Sequence, residues 1–208
     1  MRHTRRRLTW RGTAFLVGAF AAACTLVNVV PHGTILERPF VVEGPVGETL
    51  DLSYAELTVT EVRTADTLES SFEQAVAGGT FLVVDATWRA TDGYIVFAGA
   101  EVIDAEGRSF WATSRGGCAK GTNSQPGYAW RATYCFDVPR DALAGATLRL
   151  ARGTHGEDDA GQRRDAVAVV DLGIGQHDVN ELWDATEKIS IEMPGFASAP
   201  ATDAGGEG

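Results

Sequence analysis

The chain has 208 residues, 44% of them hydrophobic and 22% charged, which suits one globular domain with flanking segments and excludes a wholly disordered polypeptide. It is too short for a barrel enzyme of ordinary size plus a second domain, and its single long uncharged run excludes a multi-span transporter. Acidic residues outnumber basic ones 28 to 18, and without the five arginines that precede Thr13 the balance is 28 to 13, a net charge of −15. Such a surface repels phosphate backbones, so nucleic acid is not expected as a partner.

Residues 1–12 form a basic segment with Arg2, Arg5, Arg6, Arg7 and Arg11 and no acid, and residues 13–30 carry no charge at all. Eighteen residues at about 1.5 Å each span about 27 Å, enough for a thin hydrocarbon layer. Arginines before the segment and acids after it place the amino terminus in the cytoplasm and the remainder outside, as a single-pass transmembrane anchor. Two other fates fit the same residues. Ala21 and Ala23 form a small-residue cleavage site for a signal peptide, and Cys24 is a lipidation site in which Ala21 stands where Leu is usual. All three put the chain outside the cytoplasm, with residues 31–45 as a linker. In that oxidising compartment Cys118 and Cys135 are expected to form a disulfide closing a loop on the order of 15 residues, worth roughly 3 kcal/mol; two free buried thiols are the alternative.

From about Phe40 to Gly173 the runs are short, rich in Val, Leu, Thr and aromatics, and punctuated by Gly or Asp-Gly, which is the pattern of strands, with the sandwich itself expected at residues 46–174. Ala55, Leu57 and Val59 alternate with Glu56, Thr58 and Thr60. Leu82, Val84, Ala86, Trp88 and Ala90 line one face of the next run, with Asp85, Thr87 and Arg89 on the other. Residues 130–138 give the cleanest period of two: Trp130, Ala132, Tyr134, Phe136 and Val138 against Arg131, Thr133, Cys135 and Asp137. Each strand then buries one face and wets the other, so two antiparallel sheets must close on each other. Ala105 to Arg108 reads as a hairpin tip between Val102-Ile103 and Phe110-Trp111, Pro139 ends its strand, and residues 146–150 and 166–172 supply two more. Seven to nine strands and no repeat describe an all-β sandwich, with Trp88, Trp111 and Trp130 in its core.

The order GETLDLSYAELTVTEVRTAD, GTFLVVDATWRATDG, EVIDAEGRSFWA, AWRATYCFDVPRDALAGATLRLARG and AVAVVDLGI resembles a family of immunoglobulin-like domains on exported and membrane-anchored bacterial proteins, often actinobacterial, similar to a secreted immunoprotective mycobacterial antigen. Phe136-Asp137-Val138-Pro139-Arg140 is the most telling piece, and the resemblance covers residues 46–174. It implies an immunoglobulin-like sandwich and an exported location, with no catalytic residues to transfer. Residues 175–192 form a short segment in which Asp178 and Glu181 give a weak capping box before Val179, Leu182, Trp183 and Thr186 on one helical face. Residues 193–208 lack any burial pattern and read as a disordered tail.

Catalysis finds little to work with. There is no G-x-S-x-G, and GGCAKGT at 116–122 fails as a phosphate loop because Lys120 precedes its glycine. His155 or His177 with neighbouring acids (Glu157, Asp158 and Asp159 beside His155) is the alternative reading, an extracytoplasmic enzyme or metal-dependent factor, although the spacing matches no calcium loop and no zinc pair. The first expectation is a non-catalytic module without cofactor, binding another envelope protein or a small extracellular ligand. Its candidate surface is the segment from Arg115 to Tyr128 with Lys120, Asn123 and Gln125, because loops on a rigid sandwich commonly carry recognition.

Overall fold

A computed structural model describes residues 19–21, 24, 39–91, 93–119, 121, 123–152, 165–184 and 188–197. The chain divides into two units, residues 1–38 and 39–208. In the first, residues 19–21 and Cys24 are helical; the rest of the expected anchor at 13–30, and the basic segment, lie outside the described residues. No helix of the described residues is long and apolar enough to cross a membrane.

The second unit holds thirteen strands among its described residues: β1 (Phe40–Pro45), β2 (Thr49–Asp51), β3 (Ala55–Glu69), β4 (Gln74–Ala90), β5 (Ile95–Val96), β6 (Gly99–Ile103), β7 (Ser109–Trp111), β8 (Asn123–Ser124), β9 (Ala129–Val138), β10 (Thr147–Ala151), β11 (Ala166–Asp171), β12 (Lys188–Ser190) and β13 (Gly195–Phe196). One sheet runs β1-β11-β10-β6-β7 and the other β12-β3-β4-β9-β13, with β2 beside β3; β5 and β8 form a small ladder of their own. The alternating residues do what their period requires. Leu57, Val59, Leu82, Val84, Ala86, Trp88, Tyr134 and Phe136 from one sheet meet Val102, Leu148, Leu150, Ala168 and Val170 from the other in one buried core. The chain is thus an all-β sandwich.

Several expectations need correction. The sheets are mixed, not wholly antiparallel: β1 runs parallel to β11 and β12 parallel to β3. The linker at 31–45 ends early, because residues 40–45 pair with the outer edge of β11 and Val42 packs on the core. The tail at 193–208 contains a strand, since Phe196 pairs with Trp130 and the Ala197 amide donates to the Ala129 carbonyl at 2.9 Å. Trp111 is 60% exposed, in contrast to Trp88 at 2%, because the register opposes it to Glu101 on the outer row and turns Phe110 toward the core. The helix Val179–Asp184 has six residues. Asp178 does not form the expected box; its carboxylate accepts from the Gly175 amide at 2.8 Å.

The largest departure concerns the outer face of the six-stranded sheet. Phe81, Val83 and Cys135 project there, opposite to Leu82, Val84 and Tyr134, and all three are fully buried. With Ala65, Leu68, Ala75, Cys118, Ile189 and Ile191 they make a second core. The sheet is therefore apolar on both sides over part of its length, and a one-sided reading fails there.

The β6–β7 hairpin forms as expected and shows how a buried charge is held. Asp104 Oδ1 accepts from the Glu106 and Arg108 amides at 2.9 and 2.8 Å, and Gly107 takes a φ of 82° at the tip. Burial pushes the Asp104 carboxyl up, but the Arg108 amide and guanidinium and the Glu106 amide outweigh it and hold the group below its ordinary 3.8. A lowered folded-state value stabilises the fold above 3.8 and the effect is lost as pH falls below it. Asp104→Asn is accordingly expected to lower the denaturation midpoint at neutral pH, with the gap to the unsubstituted protein narrowing as melts are repeated at successively lower pH through 3.8.

Candidate functional site

The described residues of the expected loop are spread along β9 from one end to the other. Cys118 and Cys135 form a disulfide, with Cα atoms 5.8 Å apart. It ties a crossover to the middle of β9: the Thr113 amide donates to the Cys135 carbonyl at 2.9 Å and the Ala119 amide to the Thr133 carbonyl at 2.8 Å. The turn between them needs glycine. Gly116 has a φ of 67°, and a Cβ there would lie 2.5 Å from the Leu68 Cβ.

Arg115 begins this turn and is engaged within the fold. Its Nη1 donates to Asp137 at 2.9 Å, its Nη2 donates to the Val76 carbonyl, and its guanidinium lies 5.3 Å from the Phe81 ring centroid. Asp137 also accepts from the Gly78 and Gly79 amides at about 3.0 Å, tying β4 to the end of β9. Asn123 and Gln125 are exposed, the first opposite Val96 in the small ladder. Between them Ser124 is buried, accepting from Trp88 Nε1 at 2.8 Å and donating to the Ile95 carbonyl at 3.2 Å. Tyr128 sits just before β9, edge-on to Phe196 at 5.6 Å. Seven residues separate Tyr128 from Cys135, a span of roughly 20 Å along a strand, so Arg115 and Tyr128 occupy different ends. Lys120 lies outside the described residues.

Between those ends, next to the second core, the outer face opens into a groove of about 310 Å³. Its floor comes from three strands: Thr60 and Arg63 on β3, Asp85 and Thr87 on β4, Arg131 and Thr133 on β9. Register sets Asp85 against Thr133 and Thr87 against Arg131. The segment with Ser190, Glu192 and Met193 forms the remaining wall. The Asp85 carboxylate accepts from Thr133 Oγ1 and from Arg63 Nη2, and Arg131 Nη2 pairs with Glu192. Arg63 Nε stands 3.4 Å from Glu61 and, though buried, makes no hydrogen bond.

Thr60, Asp85, Thr87, Arg131 and Thr133 were visible in sequence as polar positions of alternating strands, but Arg63 lies past the register shift after Val59, and nothing showed that Glu192 returns to face Arg131. Elsewhere, His177 Nε2 is 2.9 Å from Asp178 Oδ1 on an open turn, its side chain 85% exposed. His155, Glu157, Asp158 and Asp159 lie outside the described residues. Among the described residues no group of three His, Cys, Asp or Glu side chains is placed to hold a metal. Burial pushes the Tyr54 hydroxyl up to about 12 while it donates to the Ala166 carbonyl at 2.8 Å, and burial likewise raises Tyr134, which donates to the Phe97 carbonyl at 3.1 Å. Both tyrosines join strands or loops of the scaffold.

No protein-family model matches the chain, and no curated protein does. It is similar to the solved structure of the yjhA protein from Bacillus subtilis, at 17% identity over 61% of this chain and 99% of that one, with a TM-score of 0.46. A secreted protein from Mycobacterium tuberculosis, MPT63, is 12% identical over 64% of this chain and 98% of that one, with a TM-score of 0.44. An uncharacterized β-sandwich protein from Clostridium difficile is 12% identical over 65% of this chain and 97% of that one, with a TM-score of 0.41.

The disulfide fastens the crossover that covers the second core, and its cysteines are 17 residues apart. Replacing Cys118 and Cys135 together by serine is expected to cost about 3 kcal/mol, read as a lower urea midpoint for the double variant than for the oxidised, unsubstituted protein.

Proposed function

We propose that this chain is an exported immunoglobulin-like domain, tethered to the membrane through residues 13–30, that serves the cell envelope as a non-catalytic binding module. The observation that carries the reading is the Cys118–Cys135 bridge, buried at both ends. A stable structural disulfide belongs to oxidising compartments, and the arginine-rich start followed by an uncharged run supplies a route there. The groove supports a binding role, because its side chains stand on paired strands that fix their positions before any ligand arrives. Its partner is an envelope protein or a small extracellular ligand.

Intact cells making the full chain with a carboxy-terminal tag provide the test. Protease added outside is expected to digest the tagged domain, and Cys118 and Cys135 are expected to resist alkylation until a reductant is added. A domain that survives external protease in unbroken cells, or whose two thiols alkylate without reduction, would contradict the proposal.

A further inference from the structure

The groove on the outer face of the six-stranded sheet has a lining that selects among ligands by charge. Four charged side chains line it, and each cation already has an anion: Arg63 has Asp85, and Arg131 has Glu192. A ligand ion entering here meets a lining whose charges already balance and competes with an ion of the protein for its counter-charge, which opposes binding. A neutral ligand meets no such cost.

The same lining is rich in groups that hydrogen bond without net charge. Thr60, Thr87, Thr133 and Ser190 bring four hydroxyls. Thr60 and Thr133 donate to the Asp85 carbonyl and carboxylate, whereas Thr87 and Ser190 make no side-chain hydrogen bond among the described residues. A guanidinium has five donors and a carboxylate about four acceptor positions, so Arg63, Arg131 and Asp85 keep capacity beyond their present bonds. These groups suit adjacent hydroxyls, which accept from one and donate to another. Met193, 73% exposed on the wall, offers an apolar surface for the C–H face of a ring. A volume of about 310 Å³ is at the small end for ligand sites and suits one or two sugar rings.

We propose that this groove binds a neutral saccharide of one or two rings, held by Asp85, Arg131, Thr87 and Ser190. The inference rests on the reading of the chain as a binding module and names the ligand class of its groove.

The test is titration of the full chain, in a zwitterionic sugar-free detergent, with glucose, N-acetylglucosamine and maltose, followed by amide NMR shifts. Sodium acetate and methylammonium chloride serve as ionic comparisons. At least one of the sugars is expected to shift amides near residues 85–87, 131–133 and 190–192. Thr87→Val should weaken that binding about fivefold or more, and Asp85→Asn about tenfold or more. Thr87→Val removes only a hydroxyl on a strand, so an unchanged far-UV spectrum separates lost binding from lost fold. Three outcomes would overturn the proposal: no response to any of the three sugars, a response equal in Thr87→Val, or a stronger response of the same amides to acetate or methylammonium. Any of these would leave export and the disulfide, which protease and alkylation test independently, untouched.

Discussion

The central strand of the larger sheet is apolar on both faces for part of its length, and that constraint shapes most of what surrounds it. Leu82 and Val84 face the main core while Phe81 and Val83 face the other way, and all four are fully buried. A strand with two apolar faces has to be covered twice. The smaller sheet covers one face. The other is covered by the crossover held by the Cys118–Cys135 bridge and by the segment bearing Ile189, on β12, and Ile191 just after it. Where this second cover stops, the same face turns polar at Asp85, Thr87, Arg131 and Thr133, and the groove begins.

The cover is attached by contacts that exploit what each residue type does best. Gly116 lets the crossover turn against Leu68 with no side chain in the way. Arg115 anchors it to Asp137, which at the same time receives two amides from the glycine pair in β4. The outer edge of β9 is completed in turn by Thr113, Ala119 and β13, so a row of backbone groups that would invite another chain is largely paired. The rigidity of the groove floor follows from this. Its side chains stand on three hydrogen-bonded strands, which suits selection of a ligand by the placement of polar groups.

Where one residue faced one environment, the sequence could be read. The period of two at 130–138, the tip at 105–108, the stop at Pro139 and the cysteine pair all depend on neighbours a few residues away or on compartment, and each appears in the fold. The long reach of β3 and β4, to fifteen and seventeen residues, was less visible because a shift of register after Val59 and another after Ala65 interrupt their alternation. Phe81 and Val83 could not announce a second core, since an apolar residue on a nominally wet face is common and its cover comes from residues more than thirty positions away. The edge strand β13, and the pairing of β1 with β11, were hidden for a related reason. A strand of two to six residues at an edge gains its stability from the partner it joins, and its own sequence carries little signal. The groove combined both problems: most of its floor was legible as polar alternation, but its wall comes from Ser190, on β12, and Glu192, both beyond residue 174.

The most direct test of the two-sided sheet is a comparison of Val83→Ala with Val84→Ala by urea denaturation. Both side chains are fully buried, one on each face. The account predicts that each substitution costs about 2 kcal/mol, as removal of methyl groups from a packed interior does. A near-neutral Val83→Ala beside a costly Val84→Ala would mean that the outer face is wet, and would contradict it.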